Sequence, residues 1–298
     1  MRTDKSIVTH ILSSLPPILL VLVVGCGEPT DRSFDFTQEH LFTPGIEGPA
    51  VDSEGNLFAV NYESEGTIGK VDPQGNATVY ATLTDGSVGN GIRFDADDNM
   101  FIADYVNHNV LLIPAGENEA VIYAHESSLN QPNDLAIAPN GILYASDPNW
   151  EEGTGQIWRI DREGFHLLES NMGTTNGIEV SPDGEYLYVN ESVQRRIWRY
   201  ELDEKGLPQN KKLFFEFEDF GLDGMRCDNR GNLYVCRYDA GKVIVLSPKG
   251  EIIREVSLKG EKPSNIAFGG KDRKQCFVTL ADRGCFESFY ADFPGRDY

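Results

Sequence analysis

The sequence predicts an all-β chain: a six-bladed β-propeller with four antiparallel strands per blade, its ring closed by an N-terminal strand that completes the last blade. Three observations carry this. A short motif recurs six times at nearly constant spacing, the same strand–turn–strand sequel follows it, and no amphipathic helix of useful length separates the strands. The motif reads Glu47-Gly48-Pro49, Asn90-Gly91-Ile92, Asn133-Asp134-Leu135, Asn176-Gly177-Ile178, Asp223-Gly224-Met225 and Asn265-Ile266-Ala267, at intervals of 43, 43, 43, 47 and 42 residues.

The sequel begins with a short apolar strand and a polar turn. Asp52-Ser53-Glu54-Gly55-Asn56, Asp95-Ala96-Asp97-Asp98-Asn99 and Asp228-Asn229-Arg230-Gly231-Asn232 are the clearest turns. Asp and Asn bond their own backbone there, and Gly accepts positive φ. A second apolar strand follows, then a third such as Gln156-Ile157-Trp158-Arg159-Ile160, then a fourth such as Phe165-His166-Leu167-Leu168. The sixth repeat has room for only about three strands before the chain ends, whereas His40-Leu41-Phe42-Thr43 stands spare ahead of the first. That segment is expected to complete the last blade and remove its free edge.

Bulk composition bounds the function. Among 298 residues, 26 Lys and Arg face 47 Asp and Glu, a formal charge of −21 that repels phosphate backbones and argues against nucleic-acid partners. Hydrophobic residues at 40% support a sizeable core. At the N-terminus, Arg2 and Lys5 precede the apolar run Ile18 to Val24, which is shorter than the about 20 residues needed to span a bilayer. It ends in Val23-Val24-Gly25-Cys26, which resembles the bacterial lipobox. The expected organisation is therefore a lipoprotein-type signal peptide over 1–25, cleaved before a lipidated Cys26, a flexible linker over 26–38, and the propeller as catalytic domain over 39–298. Gly27, where an Asp would retain the protein at the inner membrane, directs the expectation to export and a lipid anchor in the outer membrane, facing the periplasm. A monomer is expected. Cys227, Cys236, Cys276 and Cys285 flank their turns out of register, so buried free thiols are expected rather than disulfides.

The innermost strands of a propeller surround a central channel, so the six aligned positions should converge at one end of it. They hold Glu47, Asn90, Asn133, Asn176, Asp223 and Asn265, each with a side-chain oxygen. Any one Asn-Gly is ordinary turn chemistry, but two carboxylates and several amides brought together need a cation. Hard oxygen donors suit Ca2+, with Zn2+, Mn2+ or Mg2+ as other candidates, and no Cys/His cluster has zinc-finger spacing.

Taken in order, Glu47-Gly48-Pro49, Asn133-Asp134, Asn176-Gly177-Ile178 and Asp223-Gly224-Met225 resemble the metal-site motifs of the senescence-marker-protein/gluconolactonase/luciferin-regenerating-enzyme (regucalcin-like) family, here as a bacterial lipoprotein member. Cys227 to Val235 is similar to the family's patterned fifth blade, and Asp147-Pro148 resembles the Asp-Pro of bacterial gluconolactonases. The resemblance implies Glu47, Asn176 and Asp223 as metal ligands, with Asn133 as a fourth ligand or a contact to water and substrate. It implies Asp223 or Asp134 as general base and Asn133 as a substrate contact, with Gln131 at a family substrate position. Asn90 and Asn265, which match the repeat but not the family's main ligand motifs, rank behind the ligands, and Asn90 is expected to contact substrate. Trp150, in the polar, Gly-rich loop Asn149 to Gly155, is expected to rim the channel mouth and contact substrate. Gln131 stands where animal members carry an Arg that contacts the sugar lactone, which puts a sugar acid lactone in doubt. The activity implied is hydrolysis of a small-molecule lactone or ester, with a calcium-polarised carbonyl and an activated water. A phosphotriester hydrolase on the same site, as in diisopropylfluorophosphatase-like relatives, and a non-catalytic ligand- or protein-binding propeller are the alternatives.

Overall fold

The structure, a computed structural model, describes residues 31–296, so the expectations placed on 1–25, on Cys26 and on the start of the linker lie outside the described residues. The described chain is six four-stranded antiparallel sheets, five of which follow chain order from inner to outer strand, while the sixth takes its outer strand from the start of the described chain. The inner strands are Phe42–Val51, Gly89–Phe94, Leu135–Ile137, Thr175–Val180, Met225–Cys227 and Pro263–Gly269. No helix among the described residues is long and apolar enough to cross a membrane.

The hairpins form for the reasons their sequences suggest. Asp52 Oδ1 accepts the Asn56 backbone N–H at 2.8 Å, Asp228 Oδ1 accepts that of Asn232 at 3.0 Å, and Gly55 and Gly231 take φ of 86° and 78°. In the second blade Asp98 occupies the corresponding left-handed position at φ 61°, and its carboxylate reaches back to accept the Ser53 N–H at 2.9 Å. The turn thereby ties blade 2 to blade 1.

Six buried apolar clusters lie one at each junction between neighbouring blades. Phe58, Val60 and Ile68 meet Ile92, Met100 and Ile102 between blades 1 and 2. Phe42, Ile46 and Leu57 meet Phe277 and Phe286 between blades 1 and 6. The last junction joins the two ends of the chain and closes the ring. Phe42 and Phe286 stand edge to face there, with ring centres 5.6 Å apart.

Closure itself differs from the expectation in its strand. Phe34–Asp35 pairs antiparallel with Cys285–Tyr290 as the outer strand of blade 6, with Phe34 opposite Ser288 and Asp35 opposite Glu287. Phe42 and Thr43, expected in that role, belong instead to the ten-residue inner strand of blade 1. The propeller therefore begins upstream of residue 39: Arg32 bridges to Ser257 and Ser33 bonds Glu287, so residues 31–38 are structured rather than linker. The four cysteines are buried free thiols.

After blade 6 the chain turns across the far end of the channel. Gly295 pairs with Asp228, and the Arg296 guanidinium donates to the Val180 and Ile137 carbonyls at 3.0 and 2.6 Å and faces Glu179 at 3.3 Å. The far end is filled by side chains, leaving a void of about 30 Å³.

Because Phe286 is fully buried at the closing junction, Phe286→Ala should lower stability by about 3–5 kcal/mol, read as a shift of the urea midpoint. Phe34→Ala, at a residue 40% exposed, should cost about 1 kcal/mol or less in the same assay.

Candidate functional site

At the open end of the channel, Glu47, Asn90, Asn133, Asn176 and Asp223 line one cavity of about 370 Å³, with Pro44, Ile46, Trp150, Ser192, Tyr238, Ser264 and Ala281 around them. The sixth aligned residue, Asn265, is buried behind the wall and donates its side-chain N–H to Glu47 Oε2 at 3.0 Å. Asn90 donates to the Asn133 carbonyl at 3.0 Å, and Asn176 hydrogen-bonds the Asp223 carboxylate. Each bond joins neighbouring blades, so the six positions are tied in three pairs across alternate junctions.

The glycine after the aligned residue is a packing requirement. A Cβ on Gly224 would lie 2.0 Å from Asn265 Cγ, one on Gly177 would lie 2.4 Å from the Asp223 carbonyl oxygen, and one on Gly91 would lie 2.6 Å from Asp134 Oδ1. Each glycine lets its inner strand press against the oxygen-bearing residue of the next blade. At Gly48 the clash would be with the Asn90 carbonyl, and φ is 60° as well. Asn-Gly thus marks the channel wall rather than a turn.

The electrostatics of this ring are unbalanced from within. Burial, then Asp134, pushes the Glu47 carboxyl up to about 7, against the Gly48 N–H, Asn265 and Arg226, which favour its ionised form. Burial, then Glu47, raises Asp223 well above the usual carboxylate range, opposed by Asn176 and the Gly224 N–H. The Asn190 amide nitrogen donates to the Asp223 carbonyl at 2.6 Å, while its buried oxygen has no hydrogen-bond partner among the described residues. Two buried carboxylates and several amide oxygens without a cationic side chain among them fit a hard divalent cation.

Asp134 lies one step deeper. Its carboxylate is fully buried, 3.0 Å from Arg93 Nη1 and 3.5 Å from Arg226 Nη1, and accepts the Leu135 N–H at 2.9 Å. This does not suit the expected general base, because both oxygens are held by guanidinium groups beneath the cavity. Gln131 is also not where the substrate role would place it. Its side chain is exposed, it does not line the cavity, and its backbone N–H donates to Asp147 Oδ1 at 2.6 Å. Trp150, at the tip of a hairpin, does line the cavity and is 45% exposed.

Two groups of residues support the ring, of which only Asp147 stands in a motif noted in the sequence. Arg93, Glu179 and Arg226 stand three residues after Asn90, Asn176 and Asp223 and face the channel below the oxygen ring. That shared offset was the available signal. Asp147 is a buried carboxylate that accepts the Asn130 and Gln131 N–H groups at 2.9 and 2.6 Å, Gln156 Nε2 at 2.7 Å and Trp158 Nε1 at 3.2 Å. It pins the loop that feeds Asn133 into the ring, which gives Asp147-Pro148 a positioning role.

Residues 46–282 match the family described as SMP-30/Gluconolactonase/LRE-like region. Among curated relatives, a 6-deoxy-6-sulfogluconolactonase of Pseudomonas putida is 30% identical over 169 residues, 54% of this chain and 58% of that protein. A gluconolactonase of Zymomonas mobilis is 29% identical over 208 residues, 61% of this chain and 58% of that protein. The chain thus spans under two thirds of the length of either. The solved structure of a calcium-binding protein, regucalcin, from Agrobacterium tumefaciens superposes with a TM-score of 0.75 at 22% identity, over 89% of this chain and 96% of the other, a likeness of fold.

The raised Glu47 fixes a pH dependence. A carboxyl that holds its proton more tightly in the folded state adds stability below its unfolded pKa and loses that contribution as pH rises through the folded value. In chelator-treated protein, wild type should therefore lose stability relative to Glu47→Gln as pH rises from about 5 to about 7.5. Thermal melts of the two proteins across that range check this, and a constant difference would contradict it.

Proposed function

The chain belongs to the SMP-30/gluconolactonase/LRE-like family, and from that premise we propose that it is a metal-dependent hydrolase that opens a lactone ring. The supporting observation is the meeting of Glu47, Asn90, Asn133, Asn176 and Asp223, with two carboxyls raised chiefly by burial, in one cavity of about 370 Å³. The lactonase names of two relatives support the reaction class. In this reading Glu47, Asn133, Asn176 and Asp223 hold the cation, calcium first among Ca2+, Zn2+, Mn2+ and Mg2+. Bound there, it supplies Lewis acidity for the lactone carbonyl and for the charge that develops on its oxygen.

The remaining work falls to the chain's own groups. Asp223 takes the proton of the attacking water: it faces the cavity, and its orientation is set by Asn176 and the Gly224 N–H. Asp134 and its two arginines form a fixed base under the ring, and Arg226 favours the ionised form of Glu47. Asn90 holds Asn133 in place through its bond to the backbone carbonyl and presents its amide to the substrate. Trp150 and Tyr238 stand at the walls, where they shield a bound ring from water.

We propose further that the protein is exported and anchored to the outer membrane through lipid on Cys26, on the strength of the lipobox-like Val23-Val24-Gly25-Cys26.

Lactone hydrolysis should disappear with EDTA and return with Ca2+, and Asp223→Ala should lower kcat by at least about 100-fold. Turnover of phosphotriesters but not lactones would move the assignment to the phosphotriester class, and no turnover of any ester would favour a binding propeller. Cys26→Ser should shift the protein from the membrane to the soluble fraction on cell fractionation, and an unchanged distribution would contradict the anchor.

A further inference from the structure

The cavity is divided in its chemistry. Its floor carries the oxygens of Glu47, Asn90, Asn133, Asn176 and Asp223, while Pro44, Ala281, Tyr238 and Trp150 line its wall and rim with apolar or aromatic groups beside the hydroxyls of Ser192 and Ser264. Among the described residues no Lys, Arg or His lines it. Arg93 and Arg226 lie beneath the floor, committed to Asp134 and to backbone carbonyls. Lys262 stands outside, its exposed ammonium 5.7 Å over the Tyr238 ring and 3.8 Å from Asp239.

These facts act together on any substrate that enters. With the floor carboxylates committed to the cation they hold, an anionic substituent directed at the wall would leave water with no cationic side chain to receive it, and a buried charge without a partner is costly. At longer range the chain's formal charge of −21 repels anions. An uncharged apolar substituent meets the opposite situation, because Trp150 offers an indole face that is 45% exposed and gains by being covered. The volume of about 370 Å³ also lies within the roughly 300–1,000 Å³ range of pockets that enclose drug-sized molecules.

Resting on the reading of this cavity as a lactonase site, we infer that its substrate is an uncharged lactone carrying an aryl or alkyl substituent, and that it rejects lactones bearing a carboxylate, sulfonate or phosphate. Trp150 grips the substituent, and the absence of a cation from the wall excludes the anion.

The test compares kcat/KM, with Ca2+ present, for dihydrocoumarin, for a ring-carboxylated dihydrocoumarin and for D-glucono-1,5-lactone. The carboxylated compound should fall at least about tenfold below its parent, a contrast of the size that pocket complementarity sets. Trp150→Ala should lower kcat/KM for dihydrocoumarin about tenfold, chiefly through KM, and lower that for gluconolactone by a clearly smaller factor. Trp150→Phe should restore most of the loss, and Trp150→Arg should raise the carboxylated compound about tenfold. Equal or faster turnover of the carboxylated lactone, or a Trp150→Ala loss shared equally by all three, overturns the inference while leaving lactonase activity in place. If none of the three is hydrolysed by wild type, the lactonase reading falls and this inference falls with it.

Discussion

Everything at the open end of the channel depends on how closely the inner strands approach one another. Glycines at 48, 91, 177 and 224 remove the Cβ atoms that would otherwise strike the backbone or side chain of the next blade. Only then do Glu47, Asn133, Asn176 and Asp223 come to line one cavity. Burial raises the carboxyls of Glu47 and Asp223, and the neighbouring acids Asp134 and Glu47 respectively add to it.

Below this layer the sign of charge alternates down the channel. Arg93 and Arg226 flank Asp134 directly under the oxygens, and Arg296 meets Glu179 lower still. All these groups are buried, so their arrangement depends on mutual pairing and on backbone carbonyls rather than on water. The stack gives the ring a rigid floor and places positive charge where it favours ionised Glu47. Asp147 does comparable work at one side, by fixing the approach of the chain to Asn133.

The propeller and its ring of oxygens were legible because the fold writes the same instruction once per blade. A ring position recurs near every 43 residues, and its neighbours repeat with it. What was not legible lacks that redundancy. The closing strand Phe34–Asp35 is two residues of pairing with no motif, whereas Phe42 and Thr43 looked spare because the inner strand of blade 1 is longer than the others and irregular between Phe42 and Glu47. Asp134 reads as a reactive acid beside Asn133, and only the convergence of Arg93 and Arg226 from blades 2 and 5 reveals that it is tied down. Gln131 carries no sign in sequence that Asp147 turns its backbone, rather than its side chain, toward the interior.

Blade 6 is assembled from both extremities of the described chain: Phe34–Asp35 at one edge, and three strands from Pro263 to Tyr290. Pairing Asp35 with Glu287 spans nearly the whole polypeptide, a long-range contact of the kind that slows folding. During synthesis, five blades can emerge and fold as sheets while Asn265 has yet to reach Glu47. The ring is complete only after the last blade leaves the ribosome, so immature chains carry the motif residues without yet bringing all six together.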